Sequence, residues 1–312
     1  LSKNKKFFFF KRDLRQKKVL EYIYKKKKFD KIIHLAAQAG VRHSLKDPYS
    51  YVNSNLLGHV NMLELARKSD AKFLLASSSE VYGDPKEHPQ SECYRGSVNT
   101  TGIRSCYVEG KRLAETLCAD FKRIHSLDVR IARIFNTYGP HMHPFDGRVV
   151  SNFVVSALKR ESLTVYGDGS QTRSFCYVSD LIEGLLALMN SSPDVTGPIN
   201  LGNPGEFTIA ELADLVIEMT DTSAGVTYLP LPTDDPTRRQ PDITRANEQL
   251  QCRSGTQIRS TGRPTFAATA IAEASARNRL PRPFFALTIT CRGVAFNLSI
   301  CNARSESRGF GK

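Results

Sequence analysis

The residues best suited to chemistry in this chain cluster between Ser77 and Lys111. In Tyr107-Val-Glu-Gly-Lys111 a phenol and an ammonium stand four positions apart, so on a helix they share one face. An ammonium beside a phenol favours the phenolate, and a phenolate can remove a hydroxyl proton as hydride leaves the same carbon. The spacing alone is unspecific, because Tyr and Lys often fall four apart on amphipathic helices. Its setting is more informative. Ser77-Ser78-Ser79-Glu80-Val81-Tyr82-Gly83 follows the apolar run Phe73-Leu-Leu-Ala76. That arrangement sets hydroxyls and a carboxylate at the end of an expected strand, the edge of a parallel sheet where ligands bind. Otherwise a serine run after a strand is simply a turn.

The elements that must hold these residues follow from hydrophobic periodicity. The pattern predicts a short strand over 7–10 leading into Lys11-Arg-Asp13-Leu14, a Lys-rich helix over 16–28 and a strand over 31–37. It continues with a helix over 53–69, a strand over 72–77, a helix over 104–124 with Leu113, Leu117 and Phe121 on one side, and a strand over 129–135. Strands alternating with helices in this way imply a doubly wound, Rossmann-like α/β fold with a parallel sheet. Beyond Asn136 the chain loosens into Gly/Pro-punctuated loops with helices expected near 148–160, 178–190 and 208–219. The reading is a dinucleotide-binding domain over 1–135, a smaller α/β substrate-binding lobe forming most of 136–252, and a basic tail over 253–312 that fits no element. A genuine extra segment and a non-native tail both remain open for those last residues.

Seven ordered blocks carry a family resemblance. They are Phe73 to Pro85, Arg104 to Arg112, Arg130 to Pro140, Asp146 to Phe153, Val165 to Asp180, Asn200 to Glu206 and Asp234 to Asp242. Each resembles the corresponding segment of UDP-glucuronate decarboxylases (UDP-xylose synthases), members of the extended short-chain dehydrogenase/reductase superfamily. The resemblance implies NAD as cofactor, a UDP-sugar as substrate and a homodimer. It implies Tyr107 as base, Lys111 as its partner and ribose ligand, Ser78 as the active-site hydroxyl and Glu80 as an adjacent carboxylate. It further implies Asp13 near the adenine, Leu35, Ala36 and Ala37 along the cofactor with Thr137 and Arg148, and Asn136, Arg173 and Arg239 on the substrate. A diphosphate and a carboxylate in one ligand need several cationic partners. Arg148 and Arg173 can equally be surface charges, and Arg239 can pair with Asp234 or Asp235.

Some segments depart from that pattern. His34-Leu-Ala-Ala-Gln-Ala-Gly-Val-Arg-His43 resembles UDP-glucuronate 4-epimerases more closely. No glycine precedes Gly40, so the G-x-x-G-x-x-G turn that cradles a pyrophosphate at a helix N-terminus is not found. The sheet is therefore expected to be N-terminally truncated, without its first βαβ unit, and to bind NAD poorly. Val108, Thr100 and Arg95 stand where the family usually has Asp, Pro and Trp. A 4-epimerase is the nearest competing enzyme, although such enzymes generally have Ser at the position of Glu80. A 4,6-dehydratase fits less well, because Ser79 replaces the acid such an enzyme would use. A catalytically silent paralogue is the alternative from outside enzymology.

Net charge is +13, but residues 1–31 hold 13 Lys+Arg against 3 acids and residues 253–312 hold 10 against 2, leaving 21 against 26 between them. Basic ends around an acidic middle read as solvated charge, not as a nucleic-acid surface. Seven cysteines show no C-x-x-C pair and no metal-ligand spacing with the histidines, so no metal site and a reduced, cytoplasmic protein are expected. Phe7–Phe10 is too short for a signal core, and Pro283 to Cys301 is interrupted by Arg292 and Asn297, so no membrane span is expected.

Overall fold

A computed structural model describes residues 8–39, 44–103, 105–231 and 238–250, together with the backbone of 285–291 and 294–300. The chain enters as strand β1 (Phe8–Lys11), helix α1 (Lys17–Lys26) and strand β2 (Lys31–His34). A continuous helical stretch then runs through α2 (Pro48–Tyr51), a π turn at Val52–Leu57 and α3 (Gly58–Ser69). Asp47 caps its start, accepting from Ser50 N at 3.1 Å, and Pro48 occupies the first turn, where a missing N–H costs nothing. Strand β3 (Lys72–Ser78), helix α4 (Ser105–His125) and strand β4 (Val129–Ile134) complete this half.

The second half contains β5 (Thr137–Tyr138), α5 (Val149–Lys159), β6 (Leu163–Tyr166), β7 (Thr172–Ser174), β8 (Cys176–Tyr177) and α6 (Val178–Asn190). Next come β9 (Pro198–Leu201), β10 (Glu206–Thr208), α7 (Ile209–Thr220), β11 (Val226–Leu229) and α8 (Thr244–Gln249). Two further strands, β12 (Phe285–Cys291) and β13 (Val294–Ile300), lie in the region where no element was expected.

Among the described residues one seven-stranded sheet forms, ordered β1-β13-β12-β2-β3-β4-β9. Side chains alternate across it as strand geometry requires. Ile32, Phe73, Leu75 and Ile131 join Leu20 and Ile23 of α1, Met62 and Leu65 of α3 and Ala114 of α4 on one face. Ile33, Leu74 and Ala132 join Leu185, Leu188 and Leu250 on the other. This is the doubly wound α/β arrangement that the alternating elements predict. A separate core of Phe153, Leu163, Val165, Phe175, Leu212 and Val216 forms the smaller lobe. Within 136–252, helix α6, strand β9 and helix α8 return to the large sheet, and the smaller lobe is built from the segments between them.

The tail differs most from expectation. β13 runs parallel to β1, while β12 runs antiparallel to both β13 and β2. The hairpin thus fills the gap between β1 and β2. Phe285-Ala-Leu-Thr-Ile-Thr-Cys291 and Val294-Ala-Phe-Asn-Leu-Ser-Ile300 are rich in β-branched and aromatic residues, which suit a pleated surface. Two unpaired strand edges offer them backbone partners. Removing residues 285–300 should leave β1 without its ladder neighbour. Amide exchange at Phe8–Lys11 is expected to quicken by about tenfold or more, as for a locally opened edge; unchanged protection would show that β1 is held without the hairpin.

Candidate active site

The parallel strands β2, β3, β4 and β9 end at one edge, with Ser78 beside Ile134 and Ile134 beside Leu201. Ser78 leaves β3 in extended geometry and its Oγ accepts from Glu80 N at 3.2 Å, starting a single 3₁₀ turn over Ser79–Tyr82. The turn closes on Gly83, whose φ is +65° and whose missing Cβ would lie 1.9 Å from Ser97 O. Glycine is therefore required there.

Ser78 faces the Tyr107 phenol, and its hydroxyl favours the phenolate. Tyr107 is half-buried, edge-on to Tyr51 with ring centroids 6.2 Å apart. Burial pushes its phenol up to about 12, with Glu80 adding to the rise and Ser78, Arg148 and Arg239 opposing it. One turn further along α4, Lys111 is buried, with Nζ 6.0 Å from the Tyr107 ring centroid and donating to Ala76 O at 2.7 Å. Burial lowers its ammonium to about 8, against the charge of Glu115.

Glu80 is paired with Arg239, which is 3% exposed and also donates from Nη2 to Gly83 O at 3.1 Å. Arg239 Nε is buried without a hydrogen-bond partner. The alternative partners Asp234 and Asp235 lie outside the described residues. Breaking such a buried pair by truncating one member leaves a charge uncompensated, at a cost of about 3–5 kcal/mol. The structure thus brings Ser78, Glu80, Tyr107, Lys111 and Arg239 into one cluster.

Other candidate residues stand around it. Asn136 and Thr137 follow β4; Asn136 O accepts from Cys176 N at 2.8 Å and Thr137 Oγ1 donates to Phe135 O at 3.0 Å. Arg148 caps α5 beside Asp146, 3.6 Å away, with its side chain 55% exposed. Arg173 lies on β7 opposite Phe207 and donates from Nη1 to Thr172 O at 2.8 Å. Asp13 follows β1 and is gripped by Arg15, whose Nε lies 2.8 Å from Oδ2, so its carboxyl sits below the usual range. Leu35 is exposed while Ala36 and Ala37 are buried just beyond β2, which ends at His34 and not at residue 37.

Residues without an evident motif organise this edge. Buried Asn55, inside the π turn, accepts from Gln38 N at 2.6 Å and donates to Gln38 O at 3.1 Å, fixing the segment after β2. The extra residue of a π turn is a recurrent device near functional sites. A second asparagine two residues after Asn53 in a helical stripe was the only sequence signal. Among the described residues no group of three or more His, Cys, Asp or Glu could hold a metal ion, and no helix is long and apolar enough to cross a membrane.

The fit to a dinucleotide divides in two. Tyr107, Lys111 and Ser78 suit a nicotinamide ribose, since Lys111 has donors beyond the one used by Ala76 O. The pyrophosphate end is different. A parallel strand, glycine turn and helix would present backbone N–H groups there, whereas β12, beside β2, runs antiparallel and brings its amino end to this edge.

A family model described as NAD dependent epimerase/dehydratase family matches residues 1–202. The chain belongs to that family. Within this epimerase/dehydratase family it is 58% identical over 221 residues to UDP-glucuronic acid decarboxylase 1 of Arabidopsis thaliana, covering 71% of this chain and 50% of that one. It is 52% identical to UDP-glucuronic acid decarboxylase 1 of Danio rerio, over 70% of this chain and 51% of that one. The chain spans about half the length of the first of these curated relatives. Among solved structures it resembles a UDP-glucuronic acid 4-epimerase from Bacillus cereus in complex with UDP-glucuronic acid and NAD. The TM-score is 0.77 at 27% identity, covering 88% of this chain and 83% of that one.

Proposed function

We propose that this member of the epimerase/dehydratase family carries the catalytic part of a UDP-glucuronate decarboxylase, forming UDP-xylose through a 4-keto sugar. The observation that carries the reading is the Glu80–Arg239 pair set against Ser78 and Tyr107, in a chain 58% identical over 221 residues to a named decarboxylase. Tyr107 takes the C4 hydroxyl proton, with Ser78 holding that oxygen and the Lys111 ammonium favouring the phenolate. NAD, when bound, supplies a reversible hydride acceptor. The resulting ketone is beta to the C6 carboxylate, so the C5–C6 bond breaks with its electron pair entering an enolate and carbon dioxide leaves. Protonation at C5 and return of the hydride to C4 complete the product. Arg239 meets the uronate beside Glu80, and a held carboxylate keeps the keto-sugar from turning over.

On this reading Asn136 and Arg173 hold the diphosphate, Thr137 and Arg148 flank the cofactor with Leu35, Ala36 and Ala37, and Asp13 lies toward the adenine. Residues 1–135 serve mainly the cofactor and 136–252 mainly the sugar nucleotide. The homodimer implied by the resemblance and the cytoplasmic location expected from the cysteine pattern belong to the same reading, and sedimentation and cell fractionation check them.

The test uses a chimera in which the strand, glycine turn and helix of a related decarboxylase precede residue 8 and residues 253–312 are removed. With NAD and UDP-glucuronate it is expected to release carbon dioxide and form UDP-xylose. UDP-galacturonate without carbon dioxide would instead favour the epimerase reading, to which residues 32–58 and the likeness to the Bacillus cereus enzyme point.

A further inference from the structure

Helix α4 carries a third ionisable side chain in register with Tyr107 and Lys111. Glu115 follows Lys111 by four residues, on the same helical face. Its carboxylate is mostly enclosed: Ser77 Oγ donates to Oε1 at 2.5 Å, Arg133 Nε to Oε1 at 3.1 Å and Arg133 Nη2 to Oε2 at 2.8 Å. The side chains of Glu115 and Arg133 are each 13% exposed. Ser77 directly precedes Ser78, so this one carboxylate ties the helix bearing Tyr107 and Lys111 to the strand end bearing Ser78.

The contacts continue outward from Arg133. Its Nη1 donates to Tyr82 Oη at 3.1 Å, and Tyr82 Oη donates to Asn200 Oδ1 at 2.7 Å. Asn200 Nδ2 then donates to Gln90 O at 2.9 Å and Asp242 O at 3.0 Å. Asp242 is three residues beyond Arg239, so the same network links α4 to the segment that presents Arg239 to Glu80.

The groups facing Lys111 are His34 from β2, His59 from α3, and Tyr107, Glu115 and Cys118 from its own helix. His34 and His59 stack with ring centroids 5.4 Å apart. Burial, with the Lys111 charge adding to it, lowers both, His59 to about 3, so both are neutral near pH 7. Burial likewise pushes the Cys118 thiol and the Tyr107 phenol up, so these too are uncharged. Glu115 is the anion of the set.

We propose that Glu115 is a positioning residue of this site: anchored by Ser77 and Arg133, its carboxylate supplies the negative charge that faces the buried Lys111 ammonium and sets α4 against the end of β3. The catalytic value of this arrangement rests on the decarboxylase reading; the influence of the Glu115 charge on Lys111 does not.

The test is a nuclear magnetic resonance titration of the 312-residue chain labelled with carbon-13 at lysine Cε, with the Lys111 signal identified by its loss in K111R. In E115Q, which keeps an oxygen for Ser77, the Lys111 midpoint should fall by about one pH unit or more, while E115D should hold it within about a few tenths of the parent value. Should E115Q not fold, the same fall is read between R133M and E115M/R133M, which differ only at position 115 and so isolate the loss of the carboxylate. A midpoint unchanged on loss of the carboxylate overturns the proposal. So does an equal fall in E115D, because packing and not charge would then be responsible. The titration needs neither NAD nor sugar, so a chimera that fails to decarboxylate leaves this result standing.

Discussion

Tyr107→Phe is expected to lower carbon dioxide release from UDP-glucuronate in the chimera by about 10³-fold or more, the upper range for removal of a positioned general base. The ring and its edge-on contact with Tyr51 survive the substitution, so UDP binding should change little. What disappears is the hydroxyl that meets Ser78 and the electrostatic field of Arg148 and Arg239. Because burial holds the phenol near 12 and the Lys111 ammonium near 8, the parent activity should depend on pH in a definite direction. The phenolate becomes easier to form as pH rises, but above about 8 Lys111 loses the proton whose charge favours it. Activity should therefore rise toward pH 8 and decline beyond it. Steady-state rates across that interval check both statements, and a Phe variant within tenfold of the parent would remove Tyr107 from the proton-transfer role.

The second large effect concerns the cofactor. The 312-residue chain is expected to bind NAD no more tightly than millimolar by calorimetry, and the chimera at least about 100-fold more tightly, a difference of about 2.7 kcal/mol. The nicotinamide end has suitable groups in Tyr107, Lys111 and Ser78. The pyrophosphate end would face β12, which runs antiparallel to β2 and brings its amino end to this edge, where a parallel strand leading into a helix would point its donors. Asp13, the residue nearest in sequence to an adenine-ribose role, already spends its carboxylate on Arg15. Micromolar binding by the 312-residue chain would mean that another surface cradles the phosphates.

Much of the fold was legible in the sequence because each local choice agreed with the whole. The expected strand over 129–135 and helices over 178–190 and 208–219 appear within a residue or so of their observed limits. Tyr107 and Lys111 share a face because a helix of any length places positions four apart together, and Ser78 and Glu80 lie at a ligand edge because β3 is parallel to its neighbours. These are local or nearest-neighbour consequences of pattern.

Tertiary structure decided the rest, because it depends on partners distant in the chain. Arg239 reaches Glu80 across 159 positions, Asn55 holds Gln38 across 17, and Glu115 meets Arg133 across 18 and Ser77 across 38. No periodicity encodes such pairings, since an Asn, Glu or Arg looks alike in sequence whether it faces water or closes a buried network. The tail was illegible for the same reason. Fourteen residues in two short apolar runs become strands by pairing with each other and with the edges that β1 and β2 leave, and a strand's hydrogen bonds, unlike a helix's, are all made to another segment.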